Sequence, residues 1–231
     1  VLFLFNSSFA SAAVRTPEDF LGYGVGADRM LAKLETIIAY FKHVDDESDR
    51  VIVREIGKTS QGRTMILAEV SAPETVASLG KYREMQRKIA DPRLIRDAEE
   101  EKRLTADGKT VVFVNCSIHA SEIAATQMSM ELLYDLATSD TPEVREILAG
   151  TIILIAPSAN PDGHDMVTDW YNRSLGKPWE GSGMPWLYHP YAGHDNNRDW
   201  FMLNLPETRN LSKVIYKEWF PQIAYDIHQM G

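Results

Sequence analysis

The sequence has 231 residues, of which 44% are hydrophobic and 25% charged, and both values are ordinary for a soluble globular protein. Its 24 Lys and Arg residues against 33 Asp and Glu residues give a net charge of −9. Because the Lys and Arg residues form no basic cluster, we expect no nucleic-acid partner.

The first thirteen residues predict a targeting segment. An apolar run, VLFLF, is followed by the small residues Ala10-Ser11-Ala12, as at the end of a secretory signal peptide. We therefore expect residues 1–13 to be part of a signal peptide and the protein to be secreted or periplasmic, with an ordinary N-terminal strand as the alternative. The run is too short to span a bilayer, and we expect no membrane span elsewhere.

The first half of the remaining chain predicts helices and a hairpin. Helical periodicity indicates a helix over 28–44, with Leu31, Leu34, Ile38 and Phe41 on one face. Two β-rich runs around KTSQG predict a hairpin over 50–70. A further helix is predicted over 74–90 and ends before Pro92. The charged residues 97–109 are expected to form a solvated loop or a fraying helix.

The second half alternates strands with helices. TVVFVN (110–115), TIILIAP (151–157) and QIAYDIH (222–228) read as buried strands. Helices are predicted from residue 122 to about 136, from 142 to 150 and over 206–220. This order predicts an α/β protein with a mixed, mostly parallel sheet covered by helices on both faces, in one domain over 14–231. Cys116, the only cysteine, is expected to be a buried core thiol.

Polar residues follow the ends of these strands. His119 and Glu122 follow the first buried strand, and His228 ends the last. Ligands bind beyond the carboxyl ends of the strands in open α/β sheets, and a His2Glu set is one known zinc site. The three residues are therefore a candidate metal site, although a hydrogen-bonded histidine and a glutamate at a helix start would give the same His-x-x-Glu pattern.

A second polar cluster lies in GHDNNRDWF, residues 193–201. It contains Asp195, Asn197 and Arg198. The planar guanidinium of arginine suits a carboxylate ligand, and asparagine adds a neutral donor. A surface turn with a structural ion pair is the alternative.

Five motifs occur in an order that resembles the zinc metallocarboxypeptidases, the carboxypeptidase A-like peptidases. They are GKTSQGRTM, His119-x-x-Glu122, Asn160-Pro161-Asp162-Gly163, Asp195-x-Asn197-Arg198 and Asp226-Ile227-His228. The resemblance covers residues 28–231. It implies a carboxypeptidase-like fold, one Zn²⁺ ion, and a peptide or protein substrate with a free C-terminus.

The resemblance also implies roles for single residues. His119, Glu122 and His228 would be the zinc ligands, and Asn197 and Arg198 would bind the C-terminal carboxylate of the substrate. Asp195 matches a residue that hydrogen-bonds the first ligand histidine. Arg173 is the candidate for the arginine that polarises the scissile carbonyl. The resemblance gives His164, His189 and His194 no ligand role, and they are expected to be loop histidines.

The family's general-base glutamate and substrate-site tyrosine lie downstream of the third ligand. Both are expected beyond Gly231, together with the last strands of the sheet, so this sequence is expected to be a fragment that binds zinc but catalyses poorly. Two other functions stay open. One is a zinc-dependent amidase or deacylase acting on small acylated amino acids or cell-wall peptides, and the other is a peptide-binding pseudoenzyme.

Overall fold

A computed structural model describes residues 13–187 and 195–229. All of the predicted signal segment except Ala13 lies outside the described residues, as do His189 and His194. In chain order the elements are α1 (Pro17–Leu21), α2 (Leu34–Glu47), β1 (Val51–Lys58), β2 (Thr64–Val70), α3 (Pro73–Val76), α4 (Leu79–Ala90), α5 (Ala98–Asp107), β3 (Thr110–Cys116), α6 (Ala124–Thr138), α7 (Pro142–Gly150), β4 (Thr151–Ala156), α8 (Pro161–Ser174), α9 (Pro206–Lys213) and β5 (Ile223–Ile227). None of the described helices is long and apolar enough to cross a membrane.

The strands form one mixed sheet in the order β1-β2-β4-β3-β5. β3 pairs in parallel with both β4 and β5, whereas β2 is antiparallel to β1 and to β4. Four of the five strands therefore run in one direction, and β2 alone is reversed. The predicted mixed, mostly parallel sheet is confirmed, and the carboxyl ends of β3, β4 and β5 lie along one edge.

Each face of the sheet has its own apolar layer. Along β3, Val114 and Cys116 pack with α2 and α6, while Val111 and Phe113 pack with α4 and α9 on the other face. This follows from the two-residue period of a strand, which sends alternate side chains to opposite faces. Cys116 is fully buried, and its burial raises the pKa of the thiol to about 12, with a smaller contribution from the Asp226 carboxylate. The prediction of a core thiol is confirmed.

The prediction of a helix over 28–44 is wrong for its N-terminal part. Helix α2 begins only at Leu34, because tertiary hydrogen bonds hold the chain extended before it. The Ala32 amide donates to Gln127 Oε1 at 2.7 Å, and the Ala32 carbonyl accepts from His164 Nε2 at 3.0 Å. Leu34 and Phe41 are buried as predicted, whereas Leu31 and Ile38 are half-buried.

Four other elements differ in detail from the predictions. The helix over 74–90 is divided into α3 and α4, and 97–109 contains a formed helix, α5, whose N-terminus is capped by Asp97 accepting from the Glu100 amide at 2.8 Å. The helix that starts at Pro206 changes to π-helical geometry over Val214–Trp219. β5 is an edge strand rather than a buried one, with Ile223 51% and Tyr225 60% exposed.

Candidate metal centre

The turn that follows β3 is held in place by its own hydroxyl groups. Ser117 adopts a left-handed backbone with φ of 51°, which is uncommon for a residue with a side chain. Its hydroxyl donates to the Glu122 carbonyl at 2.8 Å and accepts from the Thr126 hydroxyl at 2.7 Å. The Glu122 amide donates to the His119 carbonyl at 3.0 Å. These bonds fix the backbone of both predicted ligands without using the side chain of either ligand.

The loop after β4 also holds this turn, through hydrogen bonds to its backbone carbonyls. The Ala159 amide donates to the Cys116 carbonyl at 2.8 Å, and Asn160 Nδ2 donates to the Ile118 carbonyl at 3.4 Å. Asn160 Oδ1 also caps α8 by accepting from the Gly163 amide at 3.0 Å. A Cβ at Gly163 would lie 2.6 Å from the Ala120 Cβ, so a residue without a side chain is needed there.

The structure brings His119, Glu122 and His228 together. His119 Nδ1 lies 2.9 Å from Glu122 Oε1, and His228 Nδ1 lies 2.9 Å from Glu122 Oε2. The two imidazole centroids are 4.9 Å apart, and one ligand atom from each of the three residues lies within 4.8 Å of the others. Two imidazoles and one carboxylate, all half-buried or exposed, form a donor set that fits zinc.

Each histidine also faces a carboxylate with its outer nitrogen. His119 Nε2 lies 3.9 Å from Asp195 Oδ1, and His228 Nε2 lies 3.1 Å from Asp226 Oδ2. Burial of His228 opposes its protonation, but the carboxylates of Asp226 and Glu122 outweigh this and raise its pKa. An imidazole between two carboxylates favours a proton on each nitrogen, and a divalent metal ion would replace the inner proton.

The second predicted cluster lies beside this centre through Asp195. Residues Asn196–Arg198 form a short 3-10 turn directly after it. Asn196, which the sequence analysis did not single out, is buried and donates to the Ala159 carbonyl at 3.2 Å, which ties the turn to the loop after β4. Arg198 is exposed, and within the described ranges its guanidinium donates only to the Asn197 carbonyl, at 3.3 Å. The turn thus presents Asn197 and Arg198 with donors available.

Arg173 is not brought to this centre. It is exposed in the last turn of α8, with no hydrogen bond or ion pair among the described residues. Ten helical residues separate it from Gly163, a distance of about 15 Å along the helix. Its role in polarising the scissile carbonyl stays a prediction.

His164 is not a loop histidine, so that prediction is wrong. It lies within α8, is fully buried and donates from Nε2 to the Ala32 carbonyl at 3.0 Å. Burial lowers its pKa. The turn chemistry of Asn160-Pro161 is a helix N-terminus signal that could have placed His164 inside the helix.

Two of the quoted motifs contact each other and not the metal centre. Asp162 is fully buried and accepts from the Thr59 hydroxyl at 2.7 Å, the Gln61 amide at 2.9 Å and Arg63 Nη1 at 2.9 Å. Arg63 Nε also donates to Asp165 at 2.9 Å. The hairpin turn between β1 and β2 therefore anchors the start of α8.

Fold and centre together define an α/β protein with a candidate His2Glu metal site at the carboxyl edge of a mixed sheet, an arrangement that fits a zinc hydrolase. The sequence profile described as zinc carboxypeptidase matches residues 37–221. The chain belongs to the zinc carboxypeptidase family. The matched range includes His119 and Glu122 but ends before His228, so the assignment of the third ligand depends on the geometry.

Individual relatives agree with the family. The chain is 32% identical to a zinc carboxypeptidase of Simulium vittatum over 93 residues, which are 40% of this chain and 29% of the relative. A carboxypeptidase A structure from Helicoverpa armigera superposes with a TM-score of 0.57 at 16% identity, over 93% of this chain and 52% of that one. A metallo-carboxypeptidase from Burkholderia cenocepacia gives 0.57 at 20% identity, over 87% and 42%. The chain thus spans about half or less of the length of these proteins.

Proposed function

We propose that this chain carries the metal centre of a zinc metallocarboxypeptidase that removes C-terminal residues from peptides. The observation that carries the proposal is the convergence of His119 and His228 on the two oxygens of Glu122, at 2.9 Å each, although His228 is 106 positions from Glu122 in the sequence. Such convergence at the carboxyl ends of two parallel strands gives three protein ligands and leaves a position for water.

Each residue of the proposed centre would have a separate role. A bound zinc ion would supply a Lewis acid that acidifies a water molecule and polarises the substrate carbonyl. His119 and His228 would offer Nδ1 to the ion. Nε2 of His228 donates to Asp226 at 3.1 Å, and Nε2 of His119 faces the Asp195 carboxylate at 3.9 Å. Glu122 would supply the anionic ligand and hold the two imidazoles apart.

We propose that Asn197 and Arg198 bind the C-terminal carboxylate of the substrate. Their turn begins at Asp195, 3.9 Å from His119, so a carboxylate bound there would lie next to the metal. The exposed guanidinium of Arg198 offers the planar pair of N–H donors that fits a carboxylate. The general-base glutamate predicted beyond Gly231 stays a prediction, as does secretion or export to the periplasm.

The test compares a peptide with a free C-terminus with the same peptide carrying a C-terminal amide, using the full protein and zinc. We expect cleavage of the free peptide and at least a 100-fold lower kcat/KM for the amide, because an Arg198–carboxylate contact would be lost. Equal cleavage of both peptides would favour an amidase or deacylase. Zinc binding and peptide binding without cleavage would favour a pseudoenzyme.

A further inference from the structure

The end of β5 carries a polar pair that the zinc-ligand assignment does not use. Asn115 on β3 and Asp226 on β5 are direct partners in the parallel register. Asn115 Nδ2 donates to Asp226 Oδ1 at 2.8 Å, and the other oxygen, Oδ2, lies 3.1 Å from His228 Nε2. Two neighbouring strands are thereby joined to the third ligand by one carboxylate.

Asn115 is a polar residue at a buried position of the sheet, where an apolar residue would be usual. Asn115 is only 2% exposed and is the penultimate residue of β3, between the apolar Val114 and Cys116. Its Oδ1 is buried and has no hydrogen-bond partner among residues 13–187 and 195–229, which costs free energy. A valine or leucine would fill this position without that cost, so the amide is placed where its donor reaches Asp226.

The geometry of β5 explains why Asp226 can act on His228. Residues two apart on a strand project from the same face, so Asp226 and His228 are neighbours on one side of β5. His228 turns Nδ1 toward Glu122 at 2.9 Å and Nε2 toward Asp226 at 3.1 Å. Asp226 therefore faces only the outer nitrogen of the ligand.

We propose that Asn115 and Asp226 are positioning residues for the third metal ligand, an inference that depends on the proposed zinc centre. Asn115 orients the Asp226 carboxylate, and the carboxylate accepts the Nε2 proton of His228. With Nε2 held protonated in this way, the nitrogen that would give up its proton to a metal ion is Nδ1, which faces Glu122 at 2.9 Å. Carboxylates that hydrogen-bond ligand histidines raise ligand basicity, and their loss typically reduces metal affinity about 10- to 100-fold.

A purely structural role is the competing explanation, because β5 is an edge strand that needs side-chain anchors. The other end of β5 supplies the matched control. Gln222 accepts from the Val111 amide at 2.7 Å and donates to Gln86 at 2.9 Å, far along the strand from His228. Gln222→Ala removes an anchor of β5 without touching a ligand.

The experiment measures zinc affinity by competition with a chromophoric chelator, and stability by urea denaturation without metal. The full chain is compared with Asp226→Ala, Asn115→Leu and Gln222→Ala. We expect the zinc Kd to rise about 10- to 100-fold in Asp226→Ala, less in Asn115→Leu, and less than about threefold in Gln222→Ala. In ¹⁵N-edited spectra of the zinc-bound wild type, His228 should carry its proton on Nε2.

Three results would overturn the inference. If Asp226→Ala binds zinc within about threefold of the wild type, or if Gln222→Ala loses as much affinity as Asp226→Ala, the pair anchors the strand and does not position the ligand. If the wild type itself binds no zinc, the metal centre fails and this inference fails with it. The wild-type titration thus separates the two proposals.

Discussion

Two polar clusters lie on either side of the loop after β4, and they differ in how their charges are used. Around Asp162, a buried carboxylate receives donors from Thr59, Gln61 and Arg63, so the cluster is closed by the protein itself. Around Glu122, two imidazoles share one carboxylate, and ligand atoms from all three residues face each other. The first cluster holds the fold together, and the second has the donors of a metal site.

The difference between the two clusters shows that motifs of one family can have either a structural or a chemical role. GKTSQGR and Asn160-Pro161-Asp162-Gly163 contribute no ligand to the centre, yet they fix the loop on which the His119 turn rests. A buried ion pair with every acceptor occupied is a structural contact, and removing one partner leaves an uncompensated charge. Two accessible imidazoles that converge on one carboxylate are instead the arrangement expected of a metal site.

The largest effect expected is on the metal centre. Glu122→Gln keeps the size of the side chain but removes the charge that both histidines face, so we expect the zinc Kd to rise more than about 100-fold, beyond the usual effect of a residue that only supports a ligand. Chelator competition measures this, and the zinc-dependent rise in Tm should disappear. Glu131→Gln, an exposed change on α6, is the control and should bind zinc like the wild type.

Breaking the cluster around Asp162 is expected to lower the stability of the fold rather than the zinc affinity. Arg63→Ala leaves Asp162 buried with fewer donors, and we expect a loss of about 3 kcal/mol in the free energy of unfolding. Urea denaturation measures it. Arg93→Ala, which removes an exposed pair with Asp91, should cost less than about 1 kcal/mol. A stable Arg63→Ala protein that no longer binds zinc would contradict the distinction between the two clusters.

Gly163 lies between the two clusters and should affect both. Gly163→Ala places a Cβ 2.6 Å from the Ala120 Cβ and 2.5 Å from Asn160 Nδ2. Such overpacking typically costs about 1–3 kcal/mol, and we expect a severalfold weaker zinc affinity because Ala120 follows His119 directly. Gly80→Ala, whose Cβ meets no atom within 4 Å, is the control and should be neutral or stabilising. An unchanged zinc Kd in Gly163→Ala would show that the turn moves independently of its support.

Much of the fold and of the candidate site could be predicted from the sequence because the signals were local or repeated. Continuous apolar runs predicted β3 and β4, and the His-x-x-Glu spacing at a strand end identified two of the three residues that the structure brings together. Tertiary contacts decided what was missed. Gln127 and His164 hold Ala32 extended and shorten α2, and no local signal shows that α8 would bury His164 against that segment. The pairing of Asn115 with Asp226 depends on a parallel register between distant segments.

His164 and His228 provide the finest comparison, because their pKa values shift in opposite directions. Burial lowers the pKa of His164, with Lys33 contributing and Asp165 and the hydrogen bond to Ala32 opposing. A lowered folded pKa means that the stability is present above about pH 6.5, the unfolded value, and is lost as the pH falls toward the folded pKa, by about 1.4 kcal/mol per unit of pKa shift. His228, whose pKa is raised, contributes in the other sense: its stabilisation is present below about pH 6.5 and lost as the pH rises.

His164→Gln isolates the buried histidine, since glutamine keeps a donor for the Ala32 carbonyl but does not titrate. Urea denaturation with a chelator present, at pH 7.5 and 5.0, should show that the wild type loses more stability on acidification than the variant. The reference is His228→Gln, which should lose more stability on acidification than the wild type because it lacks the opposing contribution. Identical pH dependence in the wild type and His164→Gln would mean that the histidine in α8 is not held neutral, and that burial alone does not separate a structural histidine from a ligand.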